Sequence, residues 1–209
     1  MKAVKTLREM VKPSAPGPTP SFTEHHLIRA LNLIGERGRV GRGTLSSQLG
    51  LGEGSTRTII EHLREANLAF VSREGCQLTE KGKRTFREIK ARIKDVKEID
   101  QTGYELGKYN VGVLVKGVAD RVRLGIEQRD AAVKAGARGA ITMVYREGLL
   151  YIPPNEEVRG EWIEPARKLV DLFKPENLDV IILCGADSKN DAENATIAAA
   201  LTLINNKSI

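Results

Sequence analysis

The chain has 209 residues, 41% of them hydrophobic and 29% charged, with a formal net charge of +6 at pH 7. This length suffices for one large or two modest domains, and two are favoured. Two cysteines argue against a disulfide framework and against a thiolate metal cluster. The sequence has no apolar run of roughly 18 residues and no signal-peptide core, which argues against a membrane partner and predicts a cytoplasmic protein.

Positive charge is concentrated in the first half of the chain. Residues 1–99 carry 19 Lys and Arg against 11 Asp and Glu, a net +8, whereas residues 100–209 carry 14 against 16, a net −2. Such an excess is typical of a domain that binds a polyanion, because each Lys or Arg that neutralises a phosphate releases a counterion. The alternative is a charge-rich surface without a binding role.

Residues 1–20 are predicted to form an N-terminal tail. A short amphipathic helix, which docks on the body or on a second subunit, is followed by an extended Pro-rich linker from Pro13 to Pro20. Ser21 or Thr23 can cap the next helix. The apolar face of the tail helix is formed by Val4, Leu7 and Val11, and the inner stripe of the next helix by Leu27, Ile28, Leu31 and Ile34.

A helix-turn-helix is predicted between Arg42 and Ala66. Residues 44–50 form a short helix with Thr44 at its N-cap, and Leu51-Gly52-Glu53 is a tight turn before a longer amphipathic helix from Gly54 to Ala66. Two helices joined by three or four residues are typical of this motif. The inner side of the longer helix has Ile59, Ile60, Leu63 and Ala66, and the outward side has Ser55, Thr56, Arg57, Thr58, Glu61 and His62.

A β-hairpin follows directly and reads as a wing. The runs from Leu68 to Ser72 and from Cys76 to Leu78 flank a turn at Arg73-Glu74-Gly75. From Phe22 to Val96 the chain therefore resembles the winged helix-turn-helix domain of bacterial and archaeal transcription regulators. The resemblance rests on Leu49-Gly50-Leu51, Ser55-Thr56-Arg57, Leu63-Arg64, Leu68 and Leu78-Thr79-Glu80-Lys81-Gly82.

Several polar and basic side chains are expected to contact double-stranded DNA. The outward helix face fits the major groove, where Arg57 is expected to read the O6 and N7 atoms of guanine. The loop from Arg37 to Gly43 interleaves three arginines with three glycines, which favours phosphate contacts over a plain solvated turn. Arg73 at the wing tip is a candidate minor-groove or phosphate contact. The predicted DNA-binding set is Arg39, Arg42, Thr44, Ser55, Thr56, Arg57, Thr58, Glu61, His62, Arg73, Lys81 and Lys83.

The helix that begins near Thr79 is predicted to run on as a linker helix, which completes a winged domain of residues 21–99. Its apolar seam either packs on the domain or joins two subunits, and a homodimer is favoured since helix-turn-helix proteins commonly bind two half-sites as symmetric pairs. The seam consists of Phe86, Ile89, Ile93 and Val96.

Residues 100–209 are predicted to form an α+β effector-binding or dimerisation domain. The order of elements is β-α-β-β-α-β, the ferredoxin-like order, with one helix added at the end. The strands are expected at residues 109–115, 140–145, 149–152 and 179–184, and the helices at about 121–135, 161–173 and 191–204.

A small-molecule site is a further expectation for the second domain. The loop from Gly185 to Asp191 follows a buried strand and precedes a helix, so its N–H groups can receive an anionic or polar ligand, or its carboxylates a hard cation. Simple helix capping is the alternative. The loop near Asp120 would form the opposite wall. The candidate ligand-binding residues are Asp120, Arg121, Gly185, Asp187, Ser188 and Asn190.

The two halves together resemble an archaeal family of uncharacterised proteins with an N-terminal winged helix and a C-terminal domain of unknown function. That resemblance implies a transcription regulator. Together with the residues above, it predicts a sequence-specific DNA-binding regulator whose C-terminal domain dimerises, senses a small molecule, or both. No Ser/His/Asp or Cys/His set emerges, so no enzyme, cofactor or metal is expected. The alternatives are a metabolite-binding protein or enzyme with the winged helix as a scaffold, or an RNA-binding or protein-interaction module.

Overall fold

The computed structural model describes residues 2–11, 22–100 and 102–205. The chain divides into two compact units, residues 1–90 and residues 91–209. The predicted Pro-rich linker from Pro13 to Pro20 lies outside the described residues. None of the described helices is long and apolar enough to cross a bilayer.

The N-terminal unit is built from helices and one hairpin. Leu7 is fully buried, and its helix packs on two later helices of the same unit, so the predicted tail helix docks on its own body. The elements are α1 (Lys2–Val11), α2 (Glu24–Arg37), α3 (Arg42–Leu49), α4 (Glu53–Glu65), β1 (Ala69–Ser72), β2 (Gly75–Leu78) and α5 (Glu80–Lys90).

Helix α2 is the core of this unit. Thr23 caps it, and the Thr23 N–H donates to Nδ1 of His26 over 3.1 Å, the reciprocal bond of a capping box with His in place of Glu. Arg29 donates to the carbonyl of Gln48 over 2.7 Å and so ties α2 to the end of α3. The predicted inner residues Leu27, Ile28, Leu31 and Ile34 are all fully buried.

Helix α3 starts two residues earlier than predicted. The first helical bond runs from the Leu45 N–H to the Gly41 carbonyl over 3.0 Å, so Gly41 is the N-cap and Thr44 lies inside the first turn. Gly50 ends the helix in the left-handed conformation, at φ 68° and ψ 28°, which a residue without Cβ adopts at no steric cost. The turn that follows is short, as predicted, and α4 begins at Glu53.

The predicted linker helix does not extend to Val96. Helix α5 ends at Lys90, and β3 (Ile93–Glu98) pairs antiparallel with β4 (Tyr109–Val115) in the second unit. A bulge between Lys94 and Lys97 adds one residue to this strand. The interval between Ile93 and Val96 is therefore three residues, as in a helix, instead of the two residues of a regular strand. The prediction that the helical seam continues beyond Ile89 is therefore wrong, and residues 91–99 belong to the C-terminal unit.

The C-terminal unit is a six-stranded sheet with helices on both faces. The predicted strands and helices are all present, although the first helix is shorter than expected and is preceded by a 3₁₀ turn at Ala119–Arg121. Beyond β3 and β4, the elements are α6 (Ile126–Lys134), β5 (Gly139–Arg146), β6 (Leu149–Ile152), β7 (Glu156–Glu157), α7 (Ile163–Phe173), β8 (Val180–Ala186) and α8 (Lys189–Asn205).

The α+β class is confirmed, but the strands do not adopt the ferredoxin-like arrangement. The order across the sheet is β3-β4-β8-β5-β6-β7, with the last strand inserted between β4 and β5. All seven residues of β8 are buried, and so apolar a strand is most stable at the centre of a sheet. In a ferredoxin-like sheet the first and third strands pair at the centre, and both helices cover one face.

The two faces of the sheet carry different helices. Leu114 and Leu183 point toward α7, where they pack with Phe173, whereas Val111 points toward α8, where it packs with Ala192. Helix α6 packs against α8 and β5. These two apolar layers form the core of the unit.

Candidate nucleic-acid interface

Helix α4 presents a polar ridge on the surface of the N-terminal unit. Its apolar face is buried as predicted, with Ile59 and Leu63 fully inaccessible. On the other side Arg57 and Glu61 are exposed, and Thr58 is half-exposed with its hydroxyl donating to the Gly54 carbonyl over 3.2 Å. Arg57 makes no ion pair with any described residue, so its guanidinium is available to an external acceptor.

Two predicted reading residues turn inward. Thr56 is fully buried, and its hydroxyl donates to the Gly52 carbonyl over 3.1 Å. His62 packs edge-on against the ring of Phe22, with ring centroids 5.6 Å apart, and its Nδ1 is buried without a partner among the described residues. Helix α4 buries a wider arc than its aliphatic residues indicate, so Thr56 and His62 are removed from the reading face. Ser55 is half-buried beside them.

Sequence reasoning missed Arg64 as a candidate contact. This side chain is exposed on α4 and has no ion pair within the described part of the chain. It lies seven residues after Arg57, which is two helical turns along the same face. That spacing is the signal that would have identified it.

Arg39, before α3, and Arg42, its first residue, both pair with acidic neighbours. Arg39 pairs with Glu74 at the wing turn at 2.5 Å, and Arg42 approaches Glu53 at the start of α4 at 3.8 Å. All four side chains are about half exposed or more, so these pairs are weak and can exchange for phosphate. Thr44 is exposed in the first turn of α3.

The wing is the hairpin of β1 and β2. Val40 forms an isolated antiparallel β-bridge with Cys76, which ties the segment before α3 to the wing. Gly75 has a φ of 126°, and a Cβ on it would lie 2.9 Å from the Val40 carbonyl, which explains the glycine at this turn. Arg73 is exposed at the tip and has no ion pair among the described residues.

The two predicted lysines on α5 have partners within the unit. Lys81 donates to the carbonyl of Ala66, the C-cap residue of α4, over 2.7 Å. A cation at this position stabilises the negative end of the helix dipole. Lys83 pairs with Glu80 at 2.8 Å on the surface.

The predicted ligand residues of the C-terminal unit are not brought together. Arg121 donates to the carbonyl of Leu203 near the end of α8, over 3.0 Å, while the loop from Gly185 precedes the start of that helix. A 17-residue helix is about 25 Å long, so the two loops cannot form walls of one pocket. Asp120 is exposed next to Arg121.

In the loop from Gly185 to Asp191, the observed contacts stabilise the loop and the start of α8. Ser188 and Asp191 form a reciprocal cap, with the Ser188 hydroxyl donating to the Asp191 carboxylate over 2.7 Å and the Asp191 N–H donating to the hydroxyl over 3.1 Å. Asp187 pairs with Arg138 at 2.6 Å. Gly185 packs under the backbone of Leu106, and Asn190 is half-buried in the first turn of α8.

Both cysteines are inert thiols. Burial raises the pKa of Cys76 to about 11 and that of Cys184 to about 12. Neither thiol is therefore ionised near neutral pH, and neither is suited to nucleophilic chemistry.

Two family models match separate parts of the chain. Residues 25–93 match the family model described as the CggR N-terminal DNA binding domain. The matched range covers α2 from its second residue, and all of α3, α4, the wing and α5. Residues 106–203 match a domain of unknown function, DUF4443. No curated protein matches the chain.

The first half of the chain is thus of the winged helix-turn-helix class of DNA-binding domains, as its sequence indicates. A solved structure extends the similarity over both halves: hypothetical protein PH0730 from Pyrococcus horikoshii OT3 is 25% identical, with a TM-score of 0.71. The match covers 88% of this chain and 94% of that chain. The resemblance to an uncharacterised family with this domain order is therefore confirmed.

Proposed function

We propose that the protein is a sequence-specific DNA-binding transcription regulator whose recognition helix is α4. The observation that carries this proposal is Arg57, an exposed guanidinium with no ion pair among the described residues, on a helix that the family comparison assigns to a DNA-binding domain. An α-helix fits the major groove, and an Arg fork matches the O6 and N7 atoms of guanine.

The residues around Arg57 support a division between side chains that read bases and side chains that position the protein on the DNA backbone. Thr58, Glu61 and Arg64 lie on or beside the same helix face as Arg57 and would contact bases or adjacent phosphates. Ser55, half-buried in the first turn of α4, lies on the opposite side of the helix and is not part of this face. Arg39, Arg42, Thr44 and Arg73 flank this face in sequence and would contact phosphate, which positions the protein without reading sequence. The net charge of +8 on residues 1–99 provides the long-range attraction.

The C-terminal unit would dimerise, sense a small molecule, or both. Two half-sites one turn of DNA apart, at about 34 Å, would then be read by two copies of α4, and a change in their separation would alter affinity. Sedimentation of the full chain, alone and on a palindromic duplex, tests the dimer. A 1:1 complex on one half-site at every protein concentration would exclude it.

Arg57 is the residue whose loss tests DNA reading. After selection of a preferred duplex, Arg57→Ala should weaken binding to it by about 1–3 kcal/mol and relax the preference at one base pair, because the fork that distinguishes guanine is gone. Fluorescence anisotropy on the preferred duplex and on single-base variants measures both effects.

The matched control is Arg129→Ala. Arg129 is an exposed arginine of the C-terminal unit, and its neighbour Asp130 holds it at 3.0 Å. This variant should bind every duplex as the parent does. If Arg57→Ala also did so, α4 would not be the reading helix.

A further inference from the structure

The C-terminal unit has an open cleft beside the only tryptophan of the chain. The cleft has a volume of about 460 Å³ and lies where β6 and β7 meet the short 3₁₀ turn Gly160–Trp162 before α7. Ligand pockets of proteins commonly have volumes of about 300–1,000 Å³. None of the residues predicted from the sequence to bind a ligand lines it.

Trp162 forms one wall of the cleft and is held in place. Tyr104, itself 5% exposed, stacks on the indole with ring centroids 5.2 Å apart and an angle of 21° between the planes. The Tyr104 hydroxyl also donates to the Trp162 carbonyl over 3.2 Å. Since Tyr104 covers one face and 45% of Trp162 is exposed, the open part of the indole faces away from Tyr104.

Of the side chains that line the cleft, two are acidic and one is basic. Glu157 pairs with Arg159 at 2.9 Å, and Asn155 accepts a hydrogen bond from Arg146 over 3.1 Å. Glu156 is exposed and makes no ion pair with any described residue. An aromatic face next to an uncompensated carboxylate favours a cation, because a cation is attracted both to the indole face and to the acid.

A second copy of the chain fits this edge poorly. Strand β7 is the last strand of the sheet, and it consists of Glu156 and Glu157. Pairing with the same strand of another copy would place like charges opposite each other, which is destabilising. The cleft therefore suits a small molecule better than it suits the edge strand of a second copy.

We propose that the cleft binds a small organic cation with a flat, delocalised head such as a guanidinium group. The head stacks on the open face of Trp162, and Glu156 accepts its hydrogen bonds. Ile152, 38% exposed on the cleft wall, contacts the apolar stem of the ligand. None of the residues that line the cleft belongs to the predicted DNA-binding set or to the helix-capping loop at Ser188.

Because Trp162 is the single tryptophan, its fluorescence reports the site directly in the full-length protein. Titration with agmatine, a guanidinium compound, at low ionic strength should change the emission with a saturable curve. The neutral analogue 1-butylurea, which has a similar flat head without charge, should produce no saturable change. Absence of a response to agmatine, or an equal response to 1-butylurea, would overturn the proposal.

Two variants with the same change in charge separate the site from general electrostatics. Glu156→Gln should weaken agmatine binding about 2- to 5-fold, the range that corresponds to an exposed ion pair of up to ~1 kcal/mol. Glu161→Gln, at an exposed carboxylate next to Trp162 that does not line the cleft, should leave the affinity unchanged. Equal weakening by both variants would contradict a specific site.

The alternative that a second copy covers the indole gives a different result. In that case the ligand-free emission would shift with protein concentration, as the ring leaves water on association. A concentration-dependent shift overturns the proposal, whereas constant emission over a hundredfold dilution together with the agmatine response supports it.

Discussion

Two neighbouring histidines at the start of α2 are buried as neutral rings. His25 and His26 are each less than a tenth exposed, with ring centroids 4.3 Å apart. Burial lowers the pKa of His25 to about 3, with further lowering from His26 and Arg29, and burial together with Arg29 lowers the pKa of His26 to about 4. The unfolded chain, in which a histidine has a pKa near 6.5, therefore binds more protons between these values.

This difference makes the protein less stable as the pH falls below about 6.5, until the folded pKa values are reached. His26→Gln removes one of the two titrations and retains an acceptor for the Thr23 N–H, since Gln also serves at this position of a capping box. Between pH 7 and pH 5 the variant should lose about 1–2 kcal/mol less unfolding free energy than the parent. Urea unfolding at both pH values measures this, and equal losses would show that His26 is accessible to protons in the folded state.

A single glycine controls how α5 packs against the wing. Gly82 is buried in the first turn of α5, and a Cβ built on it would collide with the carbonyl oxygen of Leu68. The Gly82 N–H donates to the Thr79 hydroxyl over 3.0 Å, which helps to hold this turn in place. Replacement of glycine by alanine usually stabilises a helix, but at this position the backbone of Leu68, just before β1, occupies the space.

Gly82→Ala should therefore destabilise the N-terminal unit by about 1–3 kcal/mol, the usual cost of overpacking. The control is Gly54→Ala in the first turn of α4, where a Cβ would have no neighbour within 4 Å. That change should be neutral or stabilising by up to ~1 kcal/mol. Thermal unfolding followed by circular dichroism compares the two, and a stabilised Gly82→Ala would mean that α5 can move away from Leu68.

At the level of elements, the sequence predicts which segments are helices and strands better than it predicts which strands pair with each other. The spacing of Ile59, Ile60 and Leu63 predicts the inner face of α4. Thr56 continues the same spacing, although its polar side chain favours an outward position. In β3 the bulge gave Ile93 and Val96 a helical spacing. Pairing of β8 between β4 and β5 depends on contacts between distant segments, which local periodicity does not contain.

For the whole molecule, the separation of charge between the two halves predicts how DNA binding responds to salt. Residues 1–99 carry a net +8 and the remainder a net −2, so counterion release should arise from the N-terminal half.

The winged-helix order of elements was evident from the sequence because each element is local. The cleft at Trp162 was not, because Tyr104 and Trp162 are joined only by the fold.

The logarithm of the association constant should fall linearly with the logarithm of salt concentration, by roughly 0.9 for each phosphate contacted. Arg73→Gln removes the unpaired charge at the wing tip, so it should reduce this slope by about 1 and weaken binding to all duplexes alike. Arg167→Gln, a change at an exposed arginine of the C-terminal unit that pairs with Glu164, should leave the slope unchanged. Anisotropy titrations at several salt concentrations give all three slopes. A parental slope near zero would contradict DNA binding by the basic half, whereas an unchanged slope in Arg73→Gln alone would remove only the wing tip from the interface.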